Sequence, residues 1–259
     1  MTAIYPEFKD KVAIVSGAAD GIGRATALAF ARNGVRVVAA DLNEAGGAET
    51  VALITAAGGT AVFKRSDVSI DRQNAELVVL ATQRFGGLDY AFNNVGFTSP
   101  KILLADTGEE LVDRILNTNV KALWSGMRHQ IPAMLARGGG AIVNNASTLA
   151  FVALAGRAVY SASKAGVVAM TRAAAVEYAA RNVRVNVICP GTTETGELRP
   201  LLKDYADQPE KIASIRAQQP INRWAQPEEQ AEPVLFLCSE GASYVIGAAL
   251  LVDGGYTLR

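Results

Sequence analysis

The sequence predicts an α/β fold, a doubly wound parallel sheet of about seven strands with helices on both faces. Short apolar runs alternate with helical patterns along the chain, as in consecutive βαβ units. No linker, low-complexity tract or internal repeat interrupts this alternation. A chain of 259 residues can bury a sizeable core, so we expect a single domain over residues 1–259.

Each predicted strand is an apolar run that ends at a turn or a polar side chain. The runs lie near residues 12–16, 35–40, 60–64, 88–92, 141–145, 183–188 and 249–252. Helical patterns fill most of the intervals between them. One helix start has capping-box spacing, Thr107-Gly108-Glu109-Glu110, ahead of a long amphipathic segment. Pro233 lies inside another helical run, from Pro227 to Cys238, where a proline costs roughly 3 kcal/mol.

The first strand, Val12 to Ser16, opens into a glycine-rich turn that precedes a helix. The turn reads Gly17-Ala18-Ala19-Asp20-Gly21-Ile22-Gly23, with the spacing G-x-x-x-G-x-G rather than G-x-G-x-x-G. Glycine is needed where a side chain would block a phosphate, and the amides at a helix N-terminus attract anions. The second strand ends in Asp41, eighteen residues after Gly23, where a carboxylate can accept hydrogen bonds from ribose hydroxyls. These features predict a Rossmann-type dinucleotide site.

Tyr160 and Lys164 lie one helical turn apart, and Ser147 precedes Tyr160 by thirteen residues. A phenol with its ordinary pKa of about 10 is a poor base at neutral pH unless a cation stabilises the phenolate. Residues four apart share a helix face, so Lys164 can supply that cation. Surface helices often carry such a pair, so the spacing is informative only beside the dinucleotide site. Together they predict proton chemistry at an alcohol or a carbonyl.

These residues resemble the short-chain dehydrogenase/reductase family, in its short single-domain form, over essentially the whole chain. Further residues that carry the resemblance, in order, are Asp67-Val68, Asn93-Asn94-Val95-Gly96, Asn119, Pro190-Gly191 and Val252-Asp253-Gly254-Gly255. The chain departs from the family's common pattern at Val95, where alanine is usual. It departs again at Asn144-Asn145-Ala146, where an apolar residue and a second serine are more frequent.

The resemblance implies a catalytic set of Asn119, Ser147, Tyr160 and Lys164. Tyr160 would be the acid/base, and Lys164 would lower its pKa and hold the nicotinamide ribose. Ser147 would hydrogen-bond the substrate oxygen as charge develops on it. Asn119 would anchor a water that relays the proton through Lys164 toward solvent.

The resemblance also implies NAD as the cofactor and a set of residues that binds it. These are Gly17, Asp20, Gly21, Ile22, Gly23, Asp41, Asp67, Val68, Asn93, Val95, Gly96, Tyr160, Lys164, Pro190, Gly191, Thr193 and Thr195. Asp41 would repel the 2′-phosphate of NADP, and Asp20 stands where phosphate-binding relatives carry a basic side chain. Arg24 is the opposing observation, because it places a cation just past the glycine turn.

Around Tyr160 the resemblance places apolar side chains and a lid over about residues 193–220 that would close and exclude water. The apolar residues are Phe97, Leu149, Phe151, Val152 and Leu154, and the predicted substrate contacts are Phe97, Ser147, Leu149, Leu154 and Tyr160. This wall predicts a compact, largely apolar substrate with one secondary hydroxyl or ketone. Arg157 is the one charged side chain expected beside the pocket. It could anchor a carboxylate or phosphate, although a solvated loop residue is the favoured interpretation.

The leading hypothesis is therefore an NAD-dependent dehydrogenase of a secondary alcohol. One alternative is a reductase of 3-oxoacyl thioesters that uses NADPH and docks an acyl carrier protein, and another is a non-catalytic nucleotide-binding regulator. The intact catalytic set argues against the regulator. A serine hydrolase would need His129, the only histidine, as the base for Ser147. Ser147 lacks the G-x-S-x-G elbow, and His129 falls in the long helix that begins near Thr107.

Composition restricts the expected partners. The 25 Lys and Arg residues balance 25 Asp and Glu residues without a dense basic run, which makes nucleic acid a poor candidate. The longest uncharged stretch, residues 138–156, is too rich in glycine and polar residues for a membrane span. The N-terminal residues contain no apolar signal core, so a cytoplasmic location is expected.

Cysteine and histidine usage predicts no metal site and no disulfide. Cys189 and Cys238 are far apart with apolar neighbours, so we expect buried reduced thiols. A homotetramer is also expected, because the helix from about Thr107 to Ala136 and the helix of Tyr160 resemble the family's intersubunit bundle. The apolar segment at residues 244–252 could pack on another subunit or form the last core strand.

Overall fold

The computed structural model describes residues 4–205 and 207–258. Its strands are β1 (Val12–Ser16), β2 (Arg36–Asp41), β3 (Ala61–Arg65), β4 (Tyr90–Asn93), β5 (Gly140–Asn145), β6 (Val183–Pro190) and β7 (Ala249–Val252). They form one parallel sheet in the order β3-β2-β1-β4-β5-β6-β7. Each predicted strand is present with ends within two residues of the expected ones. The predicted fold class is confirmed.

Helices cover both faces of this sheet. They are α1 (Gly21–Arg32), α2 (Glu44–Ala56), α3 (Asp71–Phe85), α4 (Glu109–Leu116), α5 (Ala122–Ala136), α6 (Ala158–Tyr178), α7 (Arg199–Asp204), α8 (Pro209–Arg216) and α9 (Pro227–Cys238). Successive residues of a strand face opposite sides, and β1 divides accordingly. Ala13 and Val15 pack in a core cluster with α1, α2 and α9. Val12 and Ile14 pack in a second cluster with α3, α5 and α6.

The long helix expected from Thr107 is divided. A π-helical turn, Asn117–Lys121, follows α4, and α5 begins directly after it. The capping box predicted at Thr107 is wrong, because Gly108 is the N-cap residue and no side chain caps α4. The Thr107 hydroxyl instead donates to the main-chain oxygen of Leu103 at 3.0 Å, which closes the preceding turn.

A capping box does form at the start of α9, at Gln226. The side chain of Gln226 accepts from the N3 amide, and Glu229 accepts from the Gln226 amide at 2.8 Å. The helix runs past Pro233 to Cys238, so the local cost of the proline is offset by packing against α1. Both cysteines are buried and free, as expected.

The order of the strands reverses between β1 and β4. In a parallel sheet the crevice outside the carboxyl ends of the strands at such a reversal is where ligands bind. Among the described residues, no helix combines the length and the apolar character that crossing a membrane requires. The same part of the chain contains no group of three or more His, Cys, Asp or Glu side chains placed to hold a metal ion.

Candidate active site

A cavity of about 980 Å³ lies along the carboxyl edge of the sheet, where the strand order reverses. Segments that follow β1 to β6 contribute to its wall. The predicted site residues that line it are Gly17, Asp20, Gly21, Ile22, Asp41, Asp67, Val68, Val95, Gly96, Phe97, Ser147, Tyr160, Lys164, Pro190, Gly191, Thr193 and Thr195. Residues widely separated in the sequence therefore meet around one space.

The glycine turn at one end of the cavity depends on a close approach between two glycines. Gly17 has a φ of +68°, which favours glycine, and a Cβ at Gly23 would overlap the main-chain oxygen of Gly17. Gly23 does not line the cavity; its role is to let α1 begin against the turn. Asp20 caps α1 by accepting from the Gly21 amide at 2.8 Å. The start of α1 thus faces the cavity.

Asp41 lies at the end of β2 with its carboxylate held by main-chain donors. Oδ2 accepts from the Ala19 amide at 3.0 Å, and Oδ1 accepts from the Asn43 amide at 2.9 Å. Arg24, in contrast, points along α2: it donates to the main-chain oxygen of Ala19 and to Glu49, each at 2.6 Å. Arg24 does not line this cavity. The guanidinium of Arg24 is therefore already paired.

Tyr160 and Lys164 project from α6 into the same cavity. The Lys164 ammonium donates to the main-chain oxygen of Asn145 at 2.9 Å and lies 5.8 Å from the centroid of the Tyr160 ring. Lys164 is 3% exposed, and a Cβ on Gly96 would come within 2.9 Å of its Nζ. The lysine is thus enclosed between the ends of β4 and β5, beside the phenol.

Ser147 follows β5 and begins a short 3-10 turn, Thr148–Ala150. Its Oγ accepts from the Leu149 amide at 3.2 Å, so the hydroxyl proton remains able to donate into the cavity. The turn carries the following chain to the surface. Leu149 and Leu154 do not line the cavity, and Leu154 is 37% exposed. Their contacts with a substrate stay a prediction that the cavity wall does not support.

Phe151 and Val152, in the same surface segment, also do not line the cavity. Of the five apolar residues expected around Tyr160, Phe97 is the one that lines it. Phe151 is largely exposed. The cavity wall also includes the polar residues Thr98, Asn117 and Thr118, and the apolar enclosure around Tyr160 stays a prediction.

Asn119 lies in the π-helical turn, buried behind the cavity. Its Oδ1 accepts from the Phe97 amide at 2.7 Å, and its Nδ2 donates to the Phe97 oxygen at 3.2 Å. The same Nδ2 donates to Ser163 Oγ at 2.9 Å. The side chain thereby ties the loop after β4 to the helix that carries Tyr160.

Asn93, predicted to contact the cofactor, does not line the cavity. Asn93 Nδ2 donates to Gln130 and to Asn144, both at 3.0 Å, inside the helix layer. Asn94 lines the cavity instead, and Asn145 Nδ2 donates to Asn94 Oδ1 at 2.9 Å. The alternation of side chains at a strand end was the signal that could have separated the two asparagines.

A charged residue that the sequence did not single out lines the cavity. The guanidinium carbon of Arg114, on α4, lies 4.0 Å from the centroid of the Phe97 ring. Arg157, the one charged residue expected beside the pocket, does not line it. The two partners Arg114 and Phe97 are seventeen residues apart and on different elements, so no sequence spacing could indicate their contact.

The two ends of the segment predicted as a lid are hydrogen-bonded to each other. Thr192 O accepts from the Ala225 amide at 3.0 Å, and Thr192 Oγ1 accepts from Gln219 Nε2 at 2.9 Å. Between these anchors lie the turn Gly196–Leu198, α7 and α8. Leu198 lines the cavity, so the segment covers one side of it.

The single histidine is engaged away from Ser147. His129 Nε2 lies 3.0 Å from Asp71 Oδ1, and Ser125 Oγ donates to that oxygen at 2.7 Å. These hydrogen bonds, that of Ser125 foremost, lower the pKa of Asp71. Burial raises the pKa of Cys189, just before Pro190, to about 12, so this thiol is protonated at neutral pH. Neither residue lines the cavity or supplies hydrolase chemistry.

Comparison with known proteins agrees with this geometry. A family model described as enoyl-(acyl carrier protein) reductase matches residues 17–257. Cyclohexanol dehydrogenase of Acinetobacter sp. is 38% identical over 98% of this chain and 97% of its own length. Cis-4-hydroxycyclohexanecarboxylate dehydrogenase of Sinomonas cyclohexanicum is 42% identical over 96% of this chain and 98% of its own. A short-chain type dehydrogenase/reductase from Mycobacterium marinum superposes with a TM-score of 0.90 at 32% identity, covering 97% of both chains.

Two further comparisons concern the cofactor and an alternative substrate. A protein from Beutenbergia cavernae, described as an NAD(P)-dependent gluconate 5-dehydrogenase with NADP bound at low occupancy, has a TM-score of 0.88 and 37% identity over 97% of this chain and 98% of its own. A 3-oxoacyl-[acyl-carrier-protein] reductase of Thermotoga maritima is 35% identical over 96% of this chain and 98% of its own. The chain belongs to the short-chain dehydrogenase/reductase family and is an oxidoreductase of that family.

Proposed function

We propose that this protein is an NAD-dependent dehydrogenase that interconverts a small, largely apolar secondary alcohol and its ketone. The observation that carries the proposal is the single cavity that Ser147, Tyr160 and Lys164 share with the glycine turn and Asp41. The relatives named for cyclohexanol and for a hydroxycyclohexane derivative favour an alicyclic alcohol. When bound, NAD supplies the acceptor or donor of the hydride at its nicotinamide ring.

The residues around the cavity fit that cofactor. The close approach of Gly17 and Gly23 leaves the N-terminus of α1 open to an anionic pyrophosphate. Each carboxylate oxygen of Asp41 accepts one main-chain hydrogen bond, and its remaining lone pairs can accept from ribose hydroxyls. Asp67 and Val68 would enclose the adenine. The segment Pro190 to Thr195 would meet the nicotinamide carboxamide.

The proton chemistry follows from three side chains. Tyr160 would take the alcohol proton in oxidation and return it in reduction. The enclosed ammonium of Lys164 would favour the phenolate form of Tyr160 by its positive charge. Ser147, whose Oγ already accepts from the Leu149 amide, would donate its proton to the substrate oxygen as negative charge develops there.

Asn119 would act through its main chain in the proton relay. Its side-chain amide is already hydrogen-bonded to Phe97 and Ser163. The water of the proton relay would therefore have to donate to another group. A π-helical turn changes the main-chain pairing of an α-helix and is frequent at functional sites. We therefore assign the water contact to the carbonyl of the turn rather than to the Asn119 amide.

NAD rather than NADP is the cofactor we propose. Asp41 would repel a phosphate on the adenosine ribose, and Asp20 adds a second carboxylate at the glycine turn. Arg24 is paired with Glu49 and lines a neighbouring pocket rather than this cavity, which weakens the opposing observation from the sequence. The NADP in the Beutenbergia cavernae protein is a property of that protein.

A 3-oxoacyl thioester reductase is the second function considered, because a relative carries that name. It would require NADPH and a basic surface for an acyl carrier protein. The carboxylate of Asp41 at the ribose end of the cavity favours the alcohol dehydrogenase.

We also propose a cytoplasmic homotetramer. Exposed apolar side chains on the helices of the expected bundle support it, namely Leu116, Trp124 and Val176. A second exposed apolar group surrounds the last strand, at Tyr244, Ile246 and Leu251. Light scattering should give a mass four times that of the 27.2 kDa chain, and a stable monomer at micromolar concentration would contradict the proposal.

The deciding experiment is oxidation of a panel of cyclic and linear secondary alcohols with NAD or NADP, followed by the absorbance of the reduced nicotinamide. We expect turnover of cyclic alcohols with NAD. A 3-oxoacyl thioester with NADPH is the second arm. Failure to oxidise any alcohol, together with reduction of the thioester, would replace the proposed function by the alternative.

A further inference from the structure

The cavity wall carries a positive charge that the catalytic set does not use. Arg114 lines the same cavity as Ser147 and Tyr160, with its guanidinium over the ring of Phe97 at 4.0 Å. Stacking occupies the face of a guanidinium and leaves its edge N–H groups able to bind an anion. The wall thus combines an apolar ring with a cation.

A chain of hydrogen bonds links the main chain of Phe97, whose ring lies beneath Arg114, to the main chain of Tyr160. Both the amide and the carbonyl of Phe97 are bound by the side chain of Asn119, at 2.7 and 3.2 Å. Asn119 in turn donates to Ser163, whose hydroxyl bonds the Tyr160 carbonyl at 2.7 Å. The ring under Arg114 is therefore connected to the helix that carries the acid/base.

Arg114 differs from other arginines near the site in its pairing. Arg24 pairs with Glu49 at 2.6 Å, and Arg216 approaches Glu194 at 3.8 Å. Among the side chains that the structure describes, no carboxylate lies within ion-pair distance of Arg114. A cation that lines a ligand cavity without an internal counter-charge is suited to an anionic group of the ligand.

We infer that Arg114 binds a carboxylate of the substrate and that the substrate class is a small hydroxy acid. Such a molecule has an apolar body, a secondary hydroxyl for Tyr160 and Ser147, and a carboxylate at a distance from it. This inference rests on the proposed dehydrogenase function and narrows its substrate. The carboxylate takes no part in the bond changes at the hydroxyl-bearing carbon.

The test compares 4-hydroxycyclohexanecarboxylate with its methyl ester, which has the same ring and hydroxyl but no charge. Wild type should prefer the acid in kcat/KM by about tenfold, as fits a charge-assisted contact at an exposed arginine. Added salt should reduce this preference by screening. Arg114→Ala should bring the ratio of acid to ester close to one, chiefly through KM of the acid, and Arg114→Lys should restore part of it.

The matched control is Arg181→Ala. Arg181 also stacks on an aromatic ring, that of Tyr178 at 5.6 Å, but it lies outside the cavity. This variant should keep the preference for the acid. NADH affinity, measured by fluorescence titration, should be the same in Arg114→Ala as in wild type.

The possible results separate the inference from the function beneath it. Oxidation of the ester and of cyclohexanol without preference for the acid would overturn the assignment of Arg114 and leave the dehydrogenase intact. Equal losses of NADH binding and of acid turnover in Arg114→Ala would assign the guanidinium to the cofactor instead. No oxidation of the acid, the ester or any neutral alcohol would overturn the proposed function and the inference with it.

Discussion

The Lys164 ammonium donates to the main-chain oxygen of Asn145 at 2.9 Å, and the side-chain Nδ2 of Asn145 donates to Asn94 Oδ1 at 2.9 Å. These two contacts join the catalytic helix to the ends of β5 and β4. The lysine is therefore positioned by main chain and neighbouring amides, before any ligand binds. A cation so enclosed can act both on Tyr160 and on a ribose in the cavity.

Lys164→Ala should reduce both turnover and NADH affinity, because in the proposed mechanism one charge would serve both the phenol and the cofactor. We expect kcat to fall at least a hundredfold, in the range of an acid/base group, and the dissociation constant of NADH to rise. Steady-state kinetics and fluorescence titration measure the two effects. Lys121→Ala, on the exposed side of the π-helical turn, is the control and should match wild type in both.

Tyr160→Phe should separate catalysis from binding, since it removes the transferable proton and little volume. NADH affinity should stay near that of wild type while turnover falls by at least a hundredfold. Retention of more than about a hundredth of the wild-type rate would contradict the role of Tyr160 as acid/base.

The strands could be predicted because apolar runs and their polar ends report burial directly. β1 is buried throughout, and Asp41 stands where the sequence predicts it, at the end of β2. The glycine turn could be predicted because close backbone approach leaves few alternatives to glycine, as the overlap between Gly23 and Gly17 illustrates. Local rules were sufficient for these features.

The substrate wall could not be predicted, because contacts between distant elements decide it. Leu149 is apolar but lies in the short turn that Ser147 caps, Leu154 follows that turn, and neither lines the cavity. Arg114 lines the cavity because α4 brings it over Phe97, a contact that no spacing encodes. Position in space, rather than residue type, separates these side chains.

Gly23→Ala should disrupt the start of α1. The new methyl group would overlap the Gly17 oxygen and lie 2.8 Å from Asn94 Nδ2, so the turn must shift. We expect a loss of roughly 1–3 kcal/mol in the free energy of unfolding and weaker NADH binding. Denaturant unfolding and fluorescence titration measure these. Gly108→Ala, where a Cβ meets nothing within 4 Å, is the steric control. It should leave NADH binding unchanged and cost about 1 kcal/mol or less, because alanine is a poorer N-cap residue than glycine.

Asp41→Ala should lower the preference for NAD over NADP. The carboxylate would accept ribose hydroxyls and repel a phosphate, so its removal weakens NAD and relieves NADP. The ratio of kcat/KM for the two cofactors should fall at least tenfold. Glu49→Gln tests the role of Arg24, because it removes the carboxylate that holds this guanidinium. A wild-type preference for NADP would contradict the assignment of Asp41.

Glu229 gives α9 a stability that depends on pH. Both Nη atoms of Arg223 donate to its carboxylate at 2.6 Å, and the Gln226 amide adds a third hydrogen bond at 2.8 Å. The Arg223 contact foremost lowers the pKa of Glu229 to about 2. A depressed pKa in the folded state means that the stabilisation is complete above the ordinary pKa of 4.5 and is lost as pH falls toward 2.

Glu229→Gln should therefore lower the free energy of unfolding at pH 7 by about 1 kcal/mol or less, since solvent screens a pair as exposed as this one. The difference from wild type should shrink as pH falls through the interval between 4.5 and 2. Urea unfolding at pH 7 and at successively lower pH measures it. Glu228→Gln, one position earlier in the same first turn, is the control because Glu228 has no ion pair among the described side chains. A difference that stays constant with pH would mean that shape, not charge, gives Glu229 its effect.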